Sequence, residues 1–340
     1  MAAKQTKDVS QAKVLNYQPF GSPSEMIIKT TKPYGLFNRL FKWSYGFPSR
    51  VPVFEAHNKA LESGDTDAFL KNKLNEYGNK LAFPNGSELK EYDDRFALEY
   101  KSRVLQVYRA SDAVLYYDRD LAGPAGPEFA QELPAEQAAA LKAHAQLVDL
   151  GFKSDNDTYA RYLGADYTVA IRDEGNGAAP EVLRTETKAM YGFVLDGLPV
   201  FGAGGKMQCS YVRNNLEMSE MLSFWRQPTE GLDGKPRVLN TRKLIGPVCA
   251  LFKLAWRKRF FRIVLLHWAR LRITGFQLGY FAAPPFIVQK NYIPVYRIRG
   301  SIKPRKEEAY EFAYYVPAVR FSTQEKLAIG WPFNSGAIIE

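Results

Sequence analysis

Three histidines and two cysteines are the side chains of this sequence best suited to metal ligation or nucleophilic attack, and their spacing decides what they can do. His57, His144 and His267 form no HxH or HxxxH pair, and Cys209 and Cys249 form no CxxC. A zinc site needs three or four such ligands converging, so none is expected. His144, on an alanine-rich helix, and His267, on an apolar strand face, read as structural residues. A cysteine nucleophile needs a paired base and an electropositive, accessible setting. Cys209 sits in a strand near Met207 and Cys249 in an apolar helix, and neither meets that need. Two buried free thiols are favoured over a single bridge. Gly202-Ala203-Gly204-Gly205-Lys206 has the look of a phosphate loop. Such a loop needs GxxxxGK and then Ser or Thr between a strand and a helix; here Met207 and a strand follow, so a hairpin corner is expected. Asp155-Asn156-Asp157 lacks the glycine and closing Glu of a calcium loop. With Asp118, Asp120 and Asp173 it reads as solvated loop. There is no GxSxG elbow, and the expectation is a chain with no catalytic residues, no metal and no cofactor.

Charge carries more information. The formal net charge is +10, but it is unevenly placed. From Arg242 to Lys306 there are fifteen Lys or Arg and no Asp or Glu, leaving 31 basic against 36 acidic residues elsewhere. Arg257, Lys258, Arg259 and Arg262 cluster beside Phe260 and Phe261, while Arg270 with Arg272 and Arg297 with Arg299 alternate, as residues on one strand face do. Unpaired cations on one surface attract polyanions such as nucleic acid or an anionic surface. The rival reading is that acidic residues of the same chain or another subunit cover this face.

The elements that must position these groups follow from periodicity. Residues 1–50 read as an extended aromatic arm whose Phe37, Phe41 and Trp43 dock on the body or on a neighbour. In residues 51–130, Asp65 or Thr66 caps a helix to about Asn79 with Phe69, Leu70, Leu74 and Tyr77 on one face. VLQVYRASDAVLYYD then reads as a hairpin. In residues 131–228, Pro134 opens a helix stopped by Gly151, and a meander follows, centred on YGFVLDGLPVFGAGGKMQCSYVR with a tight turn at Asp196-Gly197. In residues 241–330, Pro247–Trp256 reads as a helix, with strands from Phe261, at Tyr292–Ile298 and at Tyr310–Val319. The fold expected is therefore α+β: two or three units, each a helix packed on an antiparallel β-meander. The first residues contain no apolar h-region and the chain has no run of eighteen apolar residues, so neither a secretory signal nor a transmembrane segment is expected. The compartment stays open between cytoplasm and a mature secreted form.

VYRASDAVLYY, DGLPVFGAGGKMQCSYV and LGYFAAPPFIVQKNYIPVYRIRG, within residues 95–320, together resemble a group of mostly secreted bacterial proteins with PepSY-like or cystatin-like modules, each a helix cradled by an antiparallel sheet. The resemblance implies a non-catalytic binding, inhibitory or regulatory module. The absence of an export signal and the acid-free block depart from that group. The function expected is interaction or assembly, through a protein partner or self-association, with polyanion binding or a shell subunit as the alternative.

Overall fold

Local sequence accounts for each element of the computed structural model, which describes residues 48–121, 133–154, 157–172, 181–213, 215–231, 237–238, 270–303, 310–319 and 338–339. The chain enters as β1 (Val53–Ala56) and turns through α1 (Lys59–Glu62), where the Asn58 side chain accepts the Leu61 N–H. The Asp65 carboxylate then caps α2 (Thr66–Lys80) by accepting the Ala68 N–H at 3.0 Å, satisfying a donor that has no partner inside the helix. Leu70, Leu74 and Tyr77, one turn apart, form its buried stripe. Four strands follow: β2 (Glu88–Glu91), β3 (Arg95–Tyr100), β4 (Arg103–Tyr108) and β5 (Val114–Asp118). The second long helix, α3 (Glu136–Asp149), buries Ala139, Ala143 and Leu147 and ends at Gly151, whose φ of 78° only glycine adopts freely. After it come β6 (Ala160–Arg172), β7 (Glu181–Leu195), β8 (Leu198–Phe201), β9 (Lys206–Val212), β10 (Glu217–Ser223) and β11 (Pro228–Gly231). The last strands are β12 (Arg270–Phe281), β13 (Asn291–Lys303), β14 (Tyr310–Pro317) and β15 (Ile338–Ile339).

These strands do not form separate meanders. The fifteen strands of the described residues belong to one sheet, ordered β11-β1-β13-β12-β8-β7-β9-β10-β5-β4-β3-β2, with β14 and β15 beyond β13 and β6 beside β7. The expectation of two or three helix-on-meander units is thus corrected: among the described residues, three helices accompany one large, mostly β, mixed sheet. The PepSY-like and cystatin-like α+β labels rested on those units and lose that basis. The physical reason is that a small meander leaves open edges, and these are satisfied here by strands distant in sequence. β5 pairs β10 (Met221 opposite Tyr116), β1 pairs both β11 and β13, and β12 pairs β8. The β12–β8 pairing is parallel and covers only Tyr280 opposite Val200 and Phe281 opposite Phe201. Every other strand pair is antiparallel.

One core runs through the molecule. It joins the stripes of α2 and α3 to inward residues of β3, β4, β9, β12 and β13, among them Phe96, Leu105, Met207, Tyr211, Tyr280 and Tyr296. Within it Trp225 stacks on Phe193, ring centroids 3.6 Å apart and the rings nearly parallel. Buried tyrosines tie distant segments: Tyr280 donates to the Pro52 carbonyl at 2.8 Å and Tyr292 to the Arg226 carbonyl at 2.5 Å. A second, smaller cluster of Phe201, Phe281, Ile293, Val295 and Tyr315 lies on the opposite face of β12–β14.

Candidate functional site

The basic strands meet through register. Arg270 lies opposite Lys303 and Arg272 opposite Ser301, while Arg299 lies opposite Gly275 and Arg297 opposite Gln277. Alternation along β13 puts positions 297, 299, 301 and 303 on one face, so the register brings both predicted arginine pairs to that face. It is the face of the smaller cluster. There the Arg297 guanidinium lies 5.2 Å from the Phe201 ring centroid and 5.9 Å from that of Tyr315. Arg299 is exposed, and partial burial first and Arg297 second hold its guanidinium below the usual arginine value. Glu311, opposite Ser301 on β14, is the acidic residue that shares this face among the described positions. Arg257, Lys258, Arg259 and Arg262 lie outside the described residues, as do Phe37, Phe41, Trp43, Cys249 and His267.

A second surface was not foreseen as one element. β6 and β7 pair along their whole length, from Ala160 opposite Phe193 to Arg172 opposite Glu181. β9 supports β7 only over Thr187–Gly192. Residues 168–172 and 181–186 therefore run past the sheet as a two-stranded ribbon. Its base is fastened. The Thr168 hydroxyl donates to the Glu186 carboxylate, as does Ser219 at 2.7 Å, and Tyr167 donates to Glu136 Oε1 at 2.9 Å. Beyond that base Val169 is 52% and Val182 64% exposed. Among the described residues no strand pairs with the outer edge of β6. Bulges at Tyr162/Gly164 and Thr168/Val169 twist it. Gly164 (φ 125°) sits at the first of these bulges, and a glycine inside a strand is the sequence mark of such a site.

A cleft of about 410 Å³ opens between α2, the Ser111-Asp112 turn, the end of α3 and the stretch leaving β10. Phe69, Tyr77, Phe152 and Trp225 give it apolar walls; Lys59, Lys73, Glu76, Asp112 and Arg226 bring charge. Lys73 is half-buried and donates from Nζ to the Asp112 carbonyl at 3.1 Å. Burial pushes its ammonium below the usual lysine value, with Lys59 adding to that and Asp112 opposing it. Asp112 (φ 54°) points its carboxylate at the Ala60 N–H, 3.1 and 3.2 Å from the two oxygens, and burial pushes that carboxyl up. Arg226, 1% exposed, donates to the carbonyls of Ala283, Pro284 and Ile287 at 3.0, 3.2 and 2.7 Å, clamping the turn after β12. Burial brings its guanidinium down to about 10. At the rim, His57 bonds through Nδ1 to Glu62 at 2.7 Å and through Nε2 to Thr229 at 2.6 Å.

The remaining candidates have structural surroundings. His144 lies 3.3 Å from Lys153 Nζ. Cys209 is a free, buried thiol that desolvation pushes up to about 12. Gly202 (φ 89°), Gly204 and Gly205 form a corner packed against residues 281–283 and Val200, and the Gly204 and Gly205 N–H groups already donate to the Ala282 and Gly202 carbonyls rather than facing an anion. Asp157 caps the start of β6 by accepting the Tyr159 and Ala160 N–H groups; Asp155, Asn156 and Asp173 lie outside the described residues. Among the described residues no three His, Cys, Asp or Glu gather as a metal site, and no helix is long and apolar enough to cross a membrane.

No protein-family model matches this chain, and no curated relative matches it. Among solved structures, the crystal structure of an uncharacterized protein from Eubacterium rectale is similar at 10% identity, covering 80% of this chain and 85% of that one with a TM-score of 0.40, a likeness too slight to carry an argument.

Proposed function

We propose that this chain is a non-enzymatic interaction and assembly protein that associates with a second copy of itself along the outer edge of β6. The observation that carries this is the β6–β7 ribbon, which leaves the sheet with an open edge and two exposed valines. An isolated two-stranded ribbon is marginal in water, and an unpaired edge is a template for another strand. Copies of one chain satisfy such an edge reciprocally about a two-fold axis. The regular stretch beyond the second bulge, Val169–Arg172, suits that pairing. Sedimentation equilibrium from about 1 to 100 μM tests the reading against a micromolar-range interface. A concentration-dependent dimer that Val169→Lys with Val182→Lys returns to monomer is the expected result. A wild-type monomer throughout that range refutes it.

A second reading, polyanion binding, is favoured by the register that puts positions 270, 272, 297, 299 and 303 on one face. Neutralising several phosphates gives affinity that falls steeply with salt. Affinity for a single-stranded oligonucleotide that does not respond to salt rules this reading out. So does affinity unchanged by Arg299→Glu.

A further inference from the structure

The cleft beneath α2 has no part in either surface above, and its donors and acceptors are unbalanced. An ammonium carries three N–H donors. Lys73 gives one to the Asp112 carbonyl, and among the described residues no carboxylate oxygen lies within ion-pair distance of its Nζ. The Asp112 carboxylate, whose field Lys73 feels, faces the Ala60 N–H instead. Two of the Lys73 donors are thus left for an acceptor in the cleft, and the formal charges of its lining, three cations against two carboxylates, leave it positive. The walls near Lys73 are aromatic, with the Phe69 and Tyr77 ring centroids 5.9 and 5.8 Å from Nζ and Phe152 packed 5.0 Å from Tyr77. Its volume falls within the range of small-molecule sites, which join an apolar lining to a few placed polar groups.

We propose that this cleft binds a small organic carboxylate, its anionic end on Lys73 and its apolar body against Phe69, Tyr77, Phe152 and Trp225. A charged acceptor on a partly desolvated ammonium makes a hydrogen bond about twice as strong as a neutral one. The ligand class follows from that: an acid with a flat or branched apolar body, and not its amide. The inference is independent of the assembly reading, since the cleft and the ribbon share no residue.

Phenylacetate serves as the probe and phenylacetamide as its uncharged counterpart, titrated calorimetrically into the full chain. Phenylacetate is expected to bind at least about tenfold more tightly than the amide. Lys73→Met should abolish that preference, while Lys142→Met, an exposed lysine of α3, should keep it. Amide shift mapping on the wild-type chain gives a readout that does not depend on how the variant folds: the Lys73 and Asp112 signals should move saturably with phenylacetate. No saturable binding up to about 10 mM, equal affinity for the amide, or shifts confined to other residues would overturn the proposal.

Discussion

Substituting Gly279 by alanine tests whether the two halves of the sheet are held by their narrow parallel join. A Cβ at this position would collide with the Pro199 carbonyl oxygen and come within 2.5 Å of a Phe201 ring carbon. Neither obstacle yields easily, because Pro199 belongs to β8 and Phe201 is buried in the smaller cluster. To admit the methyl group, β12 must move away from β8. That loosens the Ala282 N–H to Phe201 carbonyl bond (2.8 Å) and the Gly204 N–H to Ala282 carbonyl bond (3.2 Å). Overpacking of a tight site costs about 1–3 kcal/mol, and two weakened backbone hydrogen bonds add about 1 kcal/mol each. The lower chain entropy of alanine in the unfolded state returns about 0.4–1 kcal/mol. The net expectation is a loss of about 2–5 kcal/mol, a large share of the roughly 5–15 kcal/mol that usually separates folded from unfolded protein. Equilibrium urea unfolding followed by circular dichroism measures it, and amide exchange at Ala282 and Gly204 should accelerate in parallel. Gly86→Ala is the reference, with a φ of 98° but nothing within 4 Å of the added carbon; backbone strain alone predicts a loss of about 1–2 kcal/mol there. A Gly279→Ala protein within about 0.5 kcal/mol of wild type, the usual range for neutral surface changes, would refute the close approach of β8 and β12 as the bond between the halves.

Asp65→Ala removes the cap of α2 and should cost about 1 kcal/mol in the same unfolding assay, with Asp65→Asn restoring most of it. In a Cys249→Ser background, Cys209 should react with an aromatic disulfide reagent about 10³-fold more slowly at pH 8 than an ordinary thiol, because a thiol held up to about 12 supplies that much less thiolate, and denaturant should release it. Lys73 binds its proton less tightly folded than unfolded, so its contribution to stability rises as pH climbs from its lowered folded value toward the unfolded value of 10.5. Wild type should accordingly gain on Lys73→Met as the pH rises through the alkaline window below 10.5, with His57, Lys59, Glu76, Tyr77, Asp112 and Arg226 common to both proteins. A stability difference flat across that window would show that Lys73 is solvated like a surface lysine.

What could be read from the sequence was local. Asp65 and the Leu70, Leu74, Tyr77 stripe placed α2, and Gly151 placed the end of α3. Asp196-Gly197, both at positive φ, made the hairpin turn from β7 to β8. Alternation at Met207, Cys209 and Tyr211 marked a strand, and all three are fully buried. Alternation reports which face of a strand is buried but not which strand lies beside it. The pairings of β5 with β10 and β8 with β12 therefore had no local signature, and without them a single sheet read as separate meanders. The same limit applied to the sites. Arg270, Arg272, Arg297 and Arg299 were visible as alternating pairs, but their meeting on one face depends on the β12–β13 register. Lys73, four residues after Phe69 and four before Tyr77, shares their face of the helix, but nothing in the sequence marks that face as the wall of a cleft. Only the long-range return of Asp112, Phe152 and Trp225 converts it into the floor of a cleft.

The phenols that donate to distant carbonyls give the molecule an alkaline ceiling. Burial first, with Cys209 second for Tyr191 and Asp196 second for Tyr280, holds Tyr191, Tyr280 and Tyr292 above the ordinary tyrosine value of 10.0. These groups keep their protons when folded and release them when unfolded, so stability drains away as the solution passes about pH 10. Their phenolate absorbance should then emerge in one cooperative step together with collapse of the sheet, because ionising any of them means withdrawing a rivet that fastens segments as far apart as Pro52 and Tyr280.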